Sequence, residues 1–377
     1  PGAQIDDDGK ITVNGKEVKK ILVDGKEFMT GDTKTALKNL PTSIIDKIKT
    51  YDEKSDLAKV TGIDDGEEQT VLDFGIKKGM NKGIIGNADA SIGTHNRYAE
   101  RLMGALFKDK SRVMLMGNAN NTNDKGFPGG GGGGHFGGGL KGLNSSKMMG
   151  ANFNYNRNKI FILDGSIRWN HSNGDVRTEQ STENFVSNIG SFSNSFNQNY
   201  TRSNSWDARL RMEWKPDTMT NIMFRPTIKY STSDGLSSST SASYNDDPYL
   251  YVTNPLSPES ILQMAEDSLM VNTRKNNSIT YSENKSLGIM LQINRKLNSK
   301  GRNVTLRTNV TYNDNKSKSL STSNVHLYQI KNSSGVDSVY QTNRYNLMAK
   351  KLYLKCYVNV IIWHFDIVQY YIVFLIL

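Results

Sequence analysis

The residues that could do chemistry are few, and their spacing argues against a catalytic centre. Nine glycines lie in residues 128–139, yet no Lys-Ser or Lys-Thr follows them to complete a phosphate-binding loop. That run reads as an external loop in which Phe127, His135 or Phe136 could touch a ligand. The acidic groups Asp64, Asp65, Glu67 and Glu68, and Asp6, Asp7 and Asp8, lack the spacing of a twelve-residue calcium loop and read as solvated turns. His95, His135, His171, His326 and His364 never stand at ligand spacing on one expected helix, so no metal set emerges. Serines abound, but no Gly-x-Ser-x-Gly turn joins a strand to a helix. Catalytic, metal and cofactor residues are therefore expected to be none, cofactors none, and the ligand-binding residues unknown.

The elements that would position a site form two regions. Residues 1–82 mix strands, turns and one helix. Residues 11–13 and 18–23 are strand-like and are followed by the turn pairs Asn14-Gly15 and Asp24-Gly25. Asp32 can cap a helix carrying Ala36, Leu37 and Leu40, which Pro41 follows. Residues 43–51 and 70–76 read as further strands. This is a small α+β domain.

From residue 86 onward the period becomes two, most cleanly over residues 149–350. Trp206, Ala208, Leu210, Met212 and Trp214 alternate with Ser205, Asp207, Arg209, Arg211 and Glu213, so one face is apolar and the other polar. Phe161, Leu163, Ile167 and Trp169 repeat the pattern against Asp164, Ser166 and Arg168, and Val304, Leu306, Val310 and Tyr312 repeat it against Asn303, Thr305, Arg307 and Asn309. Ile222, Phe224, Ile228 and Tyr230 form a further example, interrupted by Pro226, which predicts a bulge or a locally open ladder.

A soluble sandwich would alternate in the same way. The expected strand length of roughly nine to eleven residues, over about ten strands, instead matches a tilted membrane strand. Trp206 and Trp214 share a face eight positions apart, which projects to roughly 20 Å along a membrane normal and fits an apolar band of about 25 Å between aromatic girdles. Short links near residues 108–110, 156–159, 215–219 and 298–301 alternate with long polar segments, 121–147, 171–203, 232–282 and 314–342, expected as external loops. Residues 351–377 turn abruptly to Ile, Val, Tyr, Phe and Leu with no Gly, Ser or Thr, a discordant tail that a shifted reading frame would explain.

The formal charge of +10 invites a nucleic-acid reading, but Arg209, Arg211, Arg225 and Arg307 each alternate with apolar residues and make no basic stripe, so no nucleic-acid partner is expected. The single cysteine, Cys356, allows no internal disulfide.

Residues 11–16, Ile-Thr-Val-Asn-Gly-Lys, and 20–26, Lys-Ile-Leu-Val-Asp-Gly-Lys, resemble the plug of TonB-dependent outer-membrane receptors. Residues 37–41, 44–48, 62–66 and 117–123 extend the resemblance through the plug into the first barrel strands. It implies a mostly β chain: a partial plug domain at 1–82, an incomplete antiparallel transmembrane β-barrel with long external loops at 83–350, and the tail at 351–377. It also implies an outer-membrane location, nutrient uptake rather than enzymology, and three kinds of partner: membrane lipid, the TonB energy-transducing complex, and a nutrient such as a glycan or peptide. The long loops are rich in Tyr, Asn and Ser, and residues 244–251, with Tyr244, Tyr249 and Tyr251, suit such a ligand. Ten strands would close at a radius of roughly 10 Å, too narrow for an 80-residue plug, whereas about 22 strands would hold one, so an inactive fragment is expected. A small structural or adhesive barrel and a soluble β-rich binding protein are the alternatives.

Overall fold

A computed structural model of the chain describes residues 3–5, 11–27, 45–55, 58–59, 66–77, 82–123, 142–186, 189, 191–298, 303–331, 333–364 and 367–376, with the side chains of 3, 5, 26–27 and 347–376 left out. The Asp32 helix, the glycine run and residues 64 and 65 lie outside these ranges.

The N-terminal strands are β1 (Ala3–Ile5), β2 (Ile11–Val13), β3 (Lys16–Val23), β4 (Lys26–Glu27), β5 (Ile45–Lys54) and β6 (Glu68–Ile76). They form a sheet of order β1-β2-β3-β6-β5, with β4 on β3. The pairing of β3 with β6 is parallel and all others are antiparallel. Its tight turns are those expected: Asn14 and Gly15 have φ of 50° and 78°, and Asp24 and Gly25 have 48° and 70°, the left-handed pairs a type I′ hairpin requires. Asp24 accepts from the Ile76 N–H at 2.9 Å while the Gly25 N–H donates to Asp73 at 3.0 Å, which ties the second turn to β6.

The large sheet runs in chain order through β7 (Gly83–Gly93), β8 (Arg97–Phe107), β9 (Ser111–Asn120), β10 (Leu143–Arg157), β11 (Phe161–Glu183), β12 (Phe192–Trp214), β13 (Thr220–Tyr244), β14 (Met270–Lys296), β15 (Asn303–Lys331), β16 (Asp337–His364) and β17 (Ile367–Ile376). Every neighbour pair is antiparallel, and the eleven-stranded sheet is open: among the described residues β7 and β17 do not pair.

Ten of these strands begin within residues 83–350, in line with the alternation, but their lengths correct the sequence reading. Strands β7 to β9 have ten or eleven residues, whereas β11 to β15 have 23 to 29. At about 3.3 Å per residue the longest reaches roughly 95 Å, far more than a bilayer requires. The polar segments 171–183, 192–203, 232–244, 270–282 and 314–331 continue the ladders instead of forming loops. Cross-strand bonds line them: Ser172 Oγ to Ser203 Oγ at 2.7 Å, His171 Nδ1 to Asn204 Oδ1 at 2.7 Å, and Ser238 Oγ to Asn277 Oδ1 at 2.9 Å. The connections at this far end shrink to 184–191 and 332–336, while residues 245–269 carry a helix, α1 (Pro258–Glu266). The four short links lie together at the opposite end.

Ser257 caps α1 through its Oγ, accepting from the Ser260 N–H, and Pro258 occupies the first turn, where its missing N–H costs nothing. Met264 of α1 seals a small core with Ala242, Tyr244 and Met270. At Pro226 the β12 ladder lacks the pairs that Leu210 and Arg211 would make, while register on either side is unchanged, so proline opens the ladder locally without a bulge. Strand β16 continues through residues 349–351, but its pairing with β15 shifts register there, from Ser317↔Met348 to Asn315↔Lys351, and β17 pairs with its C-terminal part.

A candidate membrane-spanning wall with a polar inner face

The register determines which side chains share a face. Phe161, Trp214, Ile222, Ile293 and Leu306 form one row across β11 to β15, and Trp169, Trp206, Tyr230 and Lys285 form another eight positions away. Between the rows this outer face carries Leu163, Ile167, Ala208, Leu210, Phe224, Ile228, Ile289 and Val310. Trp206 and Trp214, 47% and 44% exposed, stand at its two borders, and Ile228, between them, is 53% exposed. The Trp169 and Trp206 rings are 6.3 Å apart at one border. At the centre Gly165 lies opposite Phe153, and a Cβ there would stand 2.4 Å from the Phe153 ring, so the missing side chain lets that ring lie across the strand.

The other face is polar and less exposed. Gln292, Asn294 and Thr305 are at most 2% exposed, and Asp164 and Glu213 are also buried. Their partners lie across the strands: Asn154 Nδ2 donates to Asp164, Asn221 Nδ2 to Glu213 at 3.0 Å, and Asn294 Nδ2 to Thr305 Oγ1 at 2.6 Å. Arg211 bridges Asp164 at 3.8 Å and Glu213 at 3.2 Å. A sheet packed for water would bury the tryptophans and expose the carboxylates. This wall does the reverse, the polarity of a barrel surrounded by lipid.

One part of the inner face is apolar. Met103, Ala105 and Phe107 of β8, Met114 and Met116 of β9 and Met148 of β10 form a single core with Ile11, Val13, Val18, Ile21, Val23, Leu72 and Phe74. The N-terminal sheet therefore packs on the inner side. Arg112 secures it, donating to the Val23 carbonyl at 2.5 Å, approaching Asp24 at 3.4 Å and lying over the Phe107 ring at 5.5 Å. The signal for this contact is residues 113–116, Val-Met-Leu-Met, where alternation fails because both faces are apolar: Met114 and Met116 are buried against the N-terminal sheet while Val113 and Leu115 are exposed on the outer face.

Toward the far end the inner face holds a cavity of about 380 Å³, lined among others by Ser237, Arg274, Asn276, Ser278, Ser323 and Arg344. It brings together residues that the sequence reading leaves unassigned. Of the residues proposed there for glycan or peptide contact, Tyr244 is withdrawn: it is fully buried and its hydroxyl donates to the Pro255 carbonyl at 2.9 Å. Burial, with a smaller contribution from Tyr249, pushes its phenol well above the ordinary range. Tyr249 and Tyr251 are exposed; Tyr249 Oη accepts from Asn194 and Tyr251 Oη donates to Asp246. His171 stacks on Trp169 and His326 on Tyr328, while His95 occupies a turn. Among the described residues no three of His, Cys, Asp and Glu converge as a metal set. At the near end Asp217 accepts the Met219 and Thr220 N–H groups at 2.7 Å and the Arg295 guanidinium at 2.8 Å, and these donors, Met219 foremost, hold its carboxyl below the usual range.

No family model matches the chain, and no curated protein matches it. Similar solved structures include the siderophore receptor PiuA from Acinetobacter baumannii, at 8% identity and a TM-score of 0.29, covering 96% of this chain and 57% of that one. The ferric yersiniabactin uptake receptor FyuA from Yersinia pestis gives 9% and 0.24, covering 97% and 58%. The ferric-catecholate import receptor Fiu from E. coli K12 gives 10% and 0.23, covering 99% and 76%. The chain thus spans a little over half the length of the first two. Likeness this faint decides neither fold nor activity. Among the described residues no helix is long and apolar enough to cross a membrane, which leaves strands untouched.

Proposed function

We propose that the chain forms wall and plug of an outer-membrane receptor that takes up a nutrient, in the manner of the TonB-dependent receptors its sequence resembles, with residues 1–82 as the plug and residues 83–350 in the barrel. The observation that carries this reading is the reversed polarity of the large sheet, with Trp206, Trp214, Ile228 and Leu115 exposed and Asp164, Glu213, Gln292 and Asn294 buried. Leaving that apolar face in water would cost about 25 cal/mol for each Å²; lipid removes the cost. The contact of the N-terminal sheet with the inner face through Met103, Met114, Met116 and Arg112 supports the plug reading. In such a receptor the far ends of the strands meet the ligand, and force transmitted through TonB moves the plug. The partners of this reading are outer-membrane lipid, TonB and a nutrient, and no step in it is catalytic.

The test is to express the chain behind an export signal, separate the membranes and wash them with high salt and with alkaline carbonate. Retention in the outer-membrane pellet, with release only by detergent, is expected. A monodisperse protein in detergent-free buffer would refute the reading.

A further inference from the structure

The register sorts charge between the two faces of β13 to β16. On the inner face stand Arg225 and Lys229 of β13, Arg274 and Lys296 of β14, Arg307 of β15 and Arg344 of β16. No Asp or Glu accompanies them on that face within residues 221–243, 272–296, 303–327 and 337–346. The carboxylates in the first three stretches, Asp234, Glu283 and Asp314, all occupy outer-face positions, in rows with Tyr281, Lys316 and Lys285. Lys229 reaches Asp207 on β12 at 3.8 Å. Arg274 and Arg344, both exposed, have no carboxylate within ion-pair distance among the described residues, and both line the 380 Å³ cavity. Between them the lining is hydroxyl and amide, from Ser237, Asn276, Ser278 and Ser323.

Ser278, Ser321 and Arg344 share a row, and Arg274 shares one with Val325 and Tyr340. The two arginines therefore sit two strands apart and four positions along, with Cα atoms about 16 Å from each other. Each guanidinium offers the planar fork that matches a carboxylate or phosphate. A neutral sugar would use neither fork as an ion-pair partner, in a cavity at the small end of the ligand-site range.

We propose that this cavity receives a ligand bearing at least two acidic oxyanion groups, one held by Arg274 and the other by Arg344, with the hydroxyl and amide groups between them contacting its polar body. The proposal rests on the receptor reading, in which the far ends of the strands meet the ligand, and takes the polar inner face as the side that does so. A wall of one sign would also draw such a ligand along β13 to β15.

The experiment is calorimetric titration of the full chain, in detergent or in buffer, whichever keeps it monodisperse, with citrate, pyrophosphate, maltotriose and spermidine in separate arms. At least one of the two anions is expected to bind, and which one distinguishes a carboxylate from a phosphate ligand; maltotriose and spermidine are expected to give no heat. R274Q/R344Q should weaken the anion tenfold or more, while R274K/R344K, which keeps the charges, should lose less. Tryptophan fluorescence of each variant verifies that it is folded. Absence of anion binding, binding indifferent to R274Q/R344Q, or maltotriose binding that survives loss of the charges would each overturn the proposal. Membrane retention of the same preparations is scored separately, so failure of the receptor reading and failure of the anion site give different results.

Discussion

Leu210 lies midway between Trp206 and Trp214 on the outer face, opposite Gly165, and so stands at the centre of the apolar band. Leu210→Arg places a guanidinium there. A charge of this kind at the midplane of a membrane barrel costs about 2 to 4 kcal/mol, or roughly thirty- to nine-hundredfold in the folded-to-unfolded ratio. Arg209 is the control, adjacent in sequence and opposite in orientation. Its side chain is 36% exposed and bonds Asp207 at 3.0 Å, a partly exposed pair whose loss in Arg209→Gln costs at most about 1 kcal/mol. The assay is urea titration of each variant folded into lipid vesicles, followed by tryptophan fluorescence and by heat-modifiable gel mobility. Equal destabilisation by the two substitutions, or a larger effect from Arg209→Gln, would show the face assignment to be wrong.

Further outcomes are expected at Tyr244, Arg112 and Asp217. Tyr244→Phe should cost about 1 to 3 kcal/mol, because the buried Pro255 carbonyl loses its donor; hydrogen exchange in residues 245–269 should rise while exchange in β8 and β9 stays unchanged. The Tyr244 phenol is raised above its ordinary value, so its contribution is complete below that value and lost only as pH climbs through the higher folded one; the helical segment should stay protected through mildly alkaline conditions. Arg112→Gln should free the N-terminal sheet from the wall, read as faster proteolysis at residues 77–82 with β11 to β15 still protected. Asp217, whose carboxyl is held low by the Met219 N–H and its other donors, stabilises its turn at neutral pH, and that contribution should vanish as pH falls through its lowered value; Asp217→Asn should remove this acid dependence of exchange at Met219 and Thr220.

Much of the wall is legible in the sequence because alternation reports a difference in environment between two faces, and Trp206 to Trp214 carry that difference in nearly every residue. The turns at Asn14-Gly15 and Asp24-Gly25 are legible because few residue pairs accept left-handed φ. Strand length is hidden for the complementary reason. Beyond the band Ser, Asn and Thr dominate both faces, as at Ser172 and Ser203, apart from an exposed outer row of Tyr200, Leu236, Ile279, Leu320 and Tyr345, so the alternation weakens while the backbone ladder continues. Helix α1 has a readable start in Ser257-Pro258-Glu259 and an i, i+3, i+4 apolar set in Ile261, Met264 and Ala265, but nine residues make less than three turns and are easily lost inside a long polar segment. The candidate site depends on positions far apart in sequence: Arg274 and Arg344 share a cavity only through the registers of β14, β15 and β16, which no local pattern encodes.

The most direct measurement of the central claim is a nitroxide scan of residues 205–214, one cysteine at a time in a Cys356→Ala background, with the chain in a lipid bilayer and collision rates measured for oxygen and for a water-soluble nickel chelate. The account predicts a period of two, with oxygen favoured at positions 206, 208, 210, 212 and 214, where the outer face meets lipid, and with low collision rates for oxygen at 205, 207, 209, 211 and 213. A flat profile, or oxygen favoured at the odd positions, would contradict it.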